Sequence, residues 1–147
     1  MDKPRPYILA ALLCENVIED KTGSLSVIRI ADKVEFETQG MPEGYKPVIA
    51  IKGLVAIRSG PVKGEFILTM KVMRPNGEQK GAPITLPTVK LLGGDQGSNT
   101  ILNLNLGVED EGLHWFDIYF QDDLLTRIPL TVVRKQEPPT QKQTTKP

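Results

Sequence analysis

Residues 47–73 read PVIAIKGLVAIRSGPVKGEFILTMKVM, and this stretch decides the fold class. Ile49, Ile51, Val55 and Ile57 alternate with smaller or polar residues in its first half, as do Phe66, Leu68, Met70 and Val72 in its second. A period of two places such residues on one face of an extended strand. Folding the stretch about Gly60-Pro61 predicts a hairpin with Val55 opposite Phe66, Ile51 opposite Met70 and Ile49 opposite Val72. One register then turns every large apolar group to the same side. Gly53 would face Leu68, its missing side chain admitting the larger neighbour.

The same pattern extends in both directions. Upstream, Tyr7 to Glu15 is a nearly continuous apolar run, expected for a strand buried on both faces. Glu19-Asp20-Lys21-Thr22-Gly23 is a polar turn. Leu25 to Phe36 is a β-branched strand whose alternation breaks at Ala31-Asp32, as at a bulge or bend. Thr38 to Lys46 is a loop. Downstream, Pro75-Asn76-Gly77-Glu78 is a turn signal. Ile84 to Leu91 reads as a weak strand, moved to a sheet edge by Pro87. Leu92 to Asn99 (LGGDQGSN) reads as a flexible Gly-rich loop.

Thr100 to Val108 alternates cleanly, with Leu102, Leu104, Leu106 and Val108 inward. His114 to Gln121 follows with Phe116, Ile118 and Phe120 inward, then Leu125 to Arg134 with Ile128, Leu130 and Val132 inward. Short strands with frequent turns and no amphipathic helix predict an all-β, Ig-like β-sandwich of about seven to eight antiparallel strands. The expected organisation is a flexible N-terminus over 1–6, one domain over 7–134 and a disordered tail over 135–147. The tail, KQEPPTQKQTTKP, has no apolar residue but proline.

Composition narrows the function classes. The chain has 147 residues with 18 Lys plus Arg and 18 Asp plus Glu, a net charge of zero that provides no long-range attraction to nucleic acid or acidic membrane. No stretch approaches the length of a membrane span. Leu9 to Cys14 superficially resembles a lipoprotein signal, but its apolar run is short and Leu13 is too large for a cleavage site. One cysteine, Cys14, excludes an intrachain disulfide and favours a reducing, cytoplasmic setting.

Two stretches carry a resemblance. ALLCENVIEDKTGSLSVIRIADKVEF (11–36) and GLHWFDIYFQDDLLTRIPLTVV (112–133) are similar to a family of small bacterial Ig-like β-sandwich proteins of uncharacterised function. The resemblance implies the fold and a non-secreted bacterial setting, and implies no activity. Asp110-x-Gly112-x-His114-x-Phe116 also resembles the corner motif of immunoglobulin domains, with His114 at the tyrosine position and Phe116 at that of the disulfide cysteine.

Candidate sites follow from the few chemistry-bearing residues. His114, the one histidine, has neither nucleophile nor orienting acid for a catalytic triad, and suits a structural hydrogen bond at the corner. Cys14 lies in an apolar strand without a flanking base, which reads as a core residue. One Cys and one His do not make a zinc site. In an up-and-down path Glu109, Asp110 and Glu111 occupy one end of the sandwich. Glu19, Asp20, Asp95, Asp122 and Asp123 then gather at the other, where oxygen ligands for Ca²⁺ would be available. No cofactor is expected.

If the Thr100 and His114 strands pair with Leu104 against Ile118, Asn103 opposes Tyr119, Asn105 opposes Asp117 and Gly107 opposes Trp115. Asn103, Asn105, Trp115, Asp117 and Tyr119 then form one polar-aromatic face suited to a protein or sugar partner. The expectation is a non-catalytic cytoplasmic interaction or adaptor domain with an unknown protein partner. A free sheet edge would also admit strand addition or a homodimer. The alternatives are a carbohydrate- or Ca²⁺-dependent binding module, and an enzyme with a site on its loops.

Overall fold

A computed structural model describes residues 3–135, all strand and loop. Nine strands form two sheets: β1 (Tyr7–Glu19), β2 (Leu25–Ile30), β3 (Lys33–Phe36), β4 (Val48–Phe66), β5 (Leu68–Met73), β6 (Gln79–Thr85), β7 (Val89–Gly107), β8 (Gly112–Phe120) and β9 (Asp123–Arg134). One sheet has the order β2-β1-β4-β7, the other β3-β9-β8-β5-β6. The disordered tail expected from the sequence falls, after Lys135, outside the described residues.

The path is the Greek key of an immunoglobulin-like sandwich. β4 lies in the first sheet, β5 and β6 in the second, β7 returns beside β4, and β8 and β9 complete the second sheet with β8 between β5 and β9. This is the alternation that places the C, F and G strands of an immunoglobulin domain side by side. The pairs are antiparallel except β3 with β9, where Lys33↔Thr131 through Phe36↔Arg134 run parallel. The expected bend at Ala31-Asp32 is the point where the chain leaves β2 in one sheet for β3 in the other.

The predicted hairpin about Gly60-Pro61 is not formed. β4 runs on through this site as an irregular strand, with register shifts on both sides of Gly60. Its partners are β1 and β7, while β5 pairs with β6 and β8. Val55, Ile51, Met70 and Val72 do share the core, but from facing sheets rather than from adjacent strands. Alternation fixes which face is buried and is silent on which strand lies alongside. Gly53 accordingly faces Leu13 and Leu102 in its own sheet instead of Leu68. A Cβ there would lie 2.9 Å from the Leu12 carbonyl oxygen.

The Gly-rich segment Leu92–Asn99 is a strand and not a loop: it belongs to β7. Its glycines serve close approach, since a Cβ on Gly97 would sit 1.9 Å from the Ile57 carbonyl oxygen. Gly93 and Gly94 take positive φ at the irregularity opposite Gly60. The weak strand over Ile84 to Leu91 divides at Leu86-Pro87-Thr88, where the chain crosses between sheets; β6, which contains Pro83, is the edge strand. β1 is less buried than expected, with Leu9 60% exposed, although Leu13 and Cys14 are fully enclosed.

The three last strands match their expectation. Leu102, Leu106, Val108, Phe116, Ile118, Phe120, Ile128, Leu130 and Val132 are all buried in the common core. The Phe66 and Phe120 rings pack tilted at 59° with 4.9 Å between their centroids, joining the end of β4 to β8. Both polar turns form. Asp20 Oδ1 accepts from the backbone N–H groups of Thr22 and Ser24, and Asn76 Oδ1 accepts from the Glu78 N–H.

Candidate functional site

The face assembled from the sequence divides between the two sheets. β7 pairs only with β4, so Asn103 lies beside Lys52 and Asn105 beside Ala50 on the outside of the four-stranded sheet. Trp115, Asp117 and Tyr119 lie on β8, flanked by β5 and β9. Asn103 therefore does not oppose Tyr119, nor Asn105 Asp117, and nothing lies within 4 Å of the Cβ position on Gly107. The physical reason is again partner choice: β7 and β8 are consecutive in sequence, but the chain changes sheets between them.

The β8 half of the face gains new members. Met73 opposes Trp115, Lys71 opposes Asp117 and Thr69 opposes Tyr119 from β5. Pro129 opposes Trp115 and Arg127 opposes Asp117 from β9. Because Phe116 and Ile118 point inward, Trp115, Asp117 and Tyr119 point outward together.

Asp117 is 5% exposed, an unusual place for a carboxylate on the outside of a sheet. Arg127 accounts for it. Its Nε donates to Asp117 Oδ1 at 2.8 Å, and its guanidinium lies over the Trp115 ring at 4.5 Å from the centroid. Lys71 Nζ lies over the Tyr119 ring at the same 4.5 Å. Two cation–aromatic contacts thus flank a buried carboxylate within three strands. Sequence patterning found the aromatics and the acid but missed Lys71 and Arg127. The available signal was the alternation of β5 and β9, which puts both cations on their outward positions once these strands are placed beside β8.

His114 is 2% exposed, and its Nδ1 is 3.1 Å from the Gly112 carbonyl oxygen. A carbonyl only accepts, so Nδ1 carries the proton. This is the corner hydrogen bond, made by histidine where an immunoglobulin domain uses tyrosine. Cys14 is a free, fully buried thiol, and burial pushes its pKa up.

The acidic residues do not gather as expected. Among the described residues no three His, Cys, Asp or Glu side chains converge on a common point. Glu109 is instead an ion-pair hub, 3.3 Å from Lys46 Nζ and 2.7 Å from Arg74 Nη2. The Lys46 hydrogen bond, then the charges of Lys46, Arg74 and Lys80, hold its carboxyl below the usual range. Glu109, Asp110 and Glu111 border a shallow cleft of about 620 Å³ with Phe36, Tyr45, Lys46 and Arg134.

An immunoglobulin-like protein from Pseudomonas aeruginosa is similar over 87% of this chain and 96% of its own, at 15% identity and a TM-score of 0.42. A β-glucosidase from Listeria innocua is similar over 90% of this chain, at 11% identity and a TM-score of 0.40. The chain spans only 17% of that enzyme. No protein of curated function matches. A family model does match, over residues 9–133, and by that match the chain belongs to DUF6941, a family of unknown function.

Proposed function

We propose that this chain is a non-catalytic, cytoplasmic protein-binding domain whose docking surface is the outside of the five-stranded sheet around Trp115 and Tyr119. The observation that carries the reading is the cluster itself. A tryptophan, a tyrosine, an arginine and a methionine share one sheet face at Trp115, Tyr119, Arg127 and Met73. These are the residue types enriched where protein interfaces hold most of their binding energy. Their geometry is held in advance by the Asp117 ion pair, which lowers the ordering cost of association.

The same geometry weighs against a sugar platform. A sugar ring stacks on a bare aromatic face, and here each ring already has a cation over it. A catalytic role would need unpaired titratable groups in one pocket. The carboxylates bordering the cleft beside Glu109 are committed to Lys46, Arg74 and Arg134 instead. The free buried Cys14 and the disulfide-free core fit a reducing compartment.

The test is affinity capture with the full chain and with Trp115→Ala plus Tyr119→Ala. The variant is expected to keep the wild-type melting temperature within a few degrees and to lose the captured partner. A partner retained by the variant, or none captured by the wild type, overturns the reading.

A further inference from the structure

We infer that the partner presents carboxylates, and that Arg127 and Lys71 are the pair of cations that receive them. The inference rests on the β8 face being the docking surface and adds the chemistry of what docks there.

Arg127 spends one nitrogen, Nε, on Asp117. Among the described residues no hydrogen bond or ion pair engages its two Nη nitrogens, which leaves the outer edge of the fork open. The ion pair and the Trp115 ring hold the guanidinium from two directions. An arginine held this way keeps a planar donor edge ready for an incoming carboxylate, with little rotamer freedom left to lose. Lys71 is in a parallel situation: the Tyr119 ring holds its ammonium, and no carboxylate among the described residues forms an ion pair with it. Lys71 and Arg127 stand on either side of Asp117 in one cross-strand row. Two strand spacings separate their backbones by about 10 Å.

Charge decides what this surface selects. Arg127 neutralises Asp117, and Lys71 leaves the row with one net positive charge. Lys71 and Arg127 sit over apolar ring area, so a partner carboxylate meets them partly shielded from water, where such pairs are stronger. Two cations are too few for a nucleic-acid groove, which needs a run of phosphate contacts. They suit an acidic protein segment laid across β5, β8 and β9, its carboxylates on the two cations and its apolar groups on Met73, Trp115 and Pro129.

Trp115 is the sole tryptophan, so its fluorescence reports on this face alone. The full chain is titrated at low salt with a ten-residue glutamate peptide, the matching glutamine peptide and a ten-nucleotide deoxythymidine oligomer. The expected result is a saturable fluorescence change with the glutamate peptide only. It should weaken at least tenfold in Lys71→Gln and in Arg127→Gln, weaken in Arg127→Lys, and persist in Lys90→Gln. Lys71→Gln leaves the Asp117 ion pair intact and keeps the test valid if Arg127→Gln loosens the fold. Equal binding of the glutamine peptide overturns the inference, as does binding of the oligomer in its place, no response to the glutamate peptide, or wild-type binding by Lys71→Gln. If the glutamate peptide fails while capture still depends on Trp115 and Tyr119, the docking face stands and only the carboxylate assignment falls.

Discussion

At Gly97 the backbones of β4 and β7 approach so closely that only hydrogen fits on Cα. A Cβ would meet the Ile57 carbonyl oxygen at 1.9 Å and Arg58 Cα at 2.8 Å, both backbone atoms that cannot swing away. Gly97→Ala is therefore expected to cost about 1–3 kcal/mol, as overpacking typically does. Gly107→Ala meets nothing within 4 Å and should stay within about 0.5 kcal/mol of wild type. Urea unfolding of the two variants checks the contrast; equal stabilities would contradict the close approach. Individual residues were the most legible level of the sequence. The corner hydrogen bond of His114, the burial of Cys14 and the turn at Asp20 are legible in the sequence, because each depends on local chemistry. Arg127 was not legible, because its importance comes from Asp117 and Trp115 on a strand whose position the sequence left open.

Among the elements, β7 has the plainest consequence. LGGDQGSN has the composition of a loop, and composition alone does not distinguish glycines that confer freedom from glycines that permit close pairing. As part of a strand, Ser98, Asn99 and Thr100 pair with Ile57, Ala56 and Val55. Their amides should exchange as slowly as those of Asn103 and Leu104, whereas exchange within seconds would return the segment to a loop. The hairpin expectation failed for a related reason. Gly60 and Pro61 are turn residues, but they also suit an irregularity in a continuing strand, where a missing N–H is tolerated. Alternation correctly marked the core-facing residues of β4, β5, β7, β8 and β9. It left strand order undetermined, and the candidate face was assembled from two sheets as a result.

For the whole molecule, ion pairs at one end of the sandwich tie separate segments together. Glu109 joins the loop before β4, through Lys46, to the end of β5, through Arg74. Its carboxyl is depressed in the folded state, as is that of Asp20, where the Thr22 hydroxyl and the backbone of the turn donate. A depressed folded pKa contributes stability above the unfolded value, and that stability is lost as pH falls through the folded one. The melting temperature should therefore decline as pH drops below the ordinary range of glutamate and aspartate carboxyls. Glu109→Gln and Asp20→Asn should each make the decline shallower; an unchanged slope in both would remove these groups from the acid response. Cys14, fully buried and with its thiol pKa raised by that burial, should react with a thiol reagent only when the protein unfolds.

The sandwich has two outer faces on which a partner could dock, and site-specific photo-cross-linking separates them. A benzophenone side chain is placed at Met73, beside Trp115 on the five-stranded sheet, or at Asn103, beside Lys52 on the four-stranded sheet. A covalent adduct with the captured partner is expected from position 73 and none from position 103. An adduct from 103 alone would contradict the assignment of the β8 face.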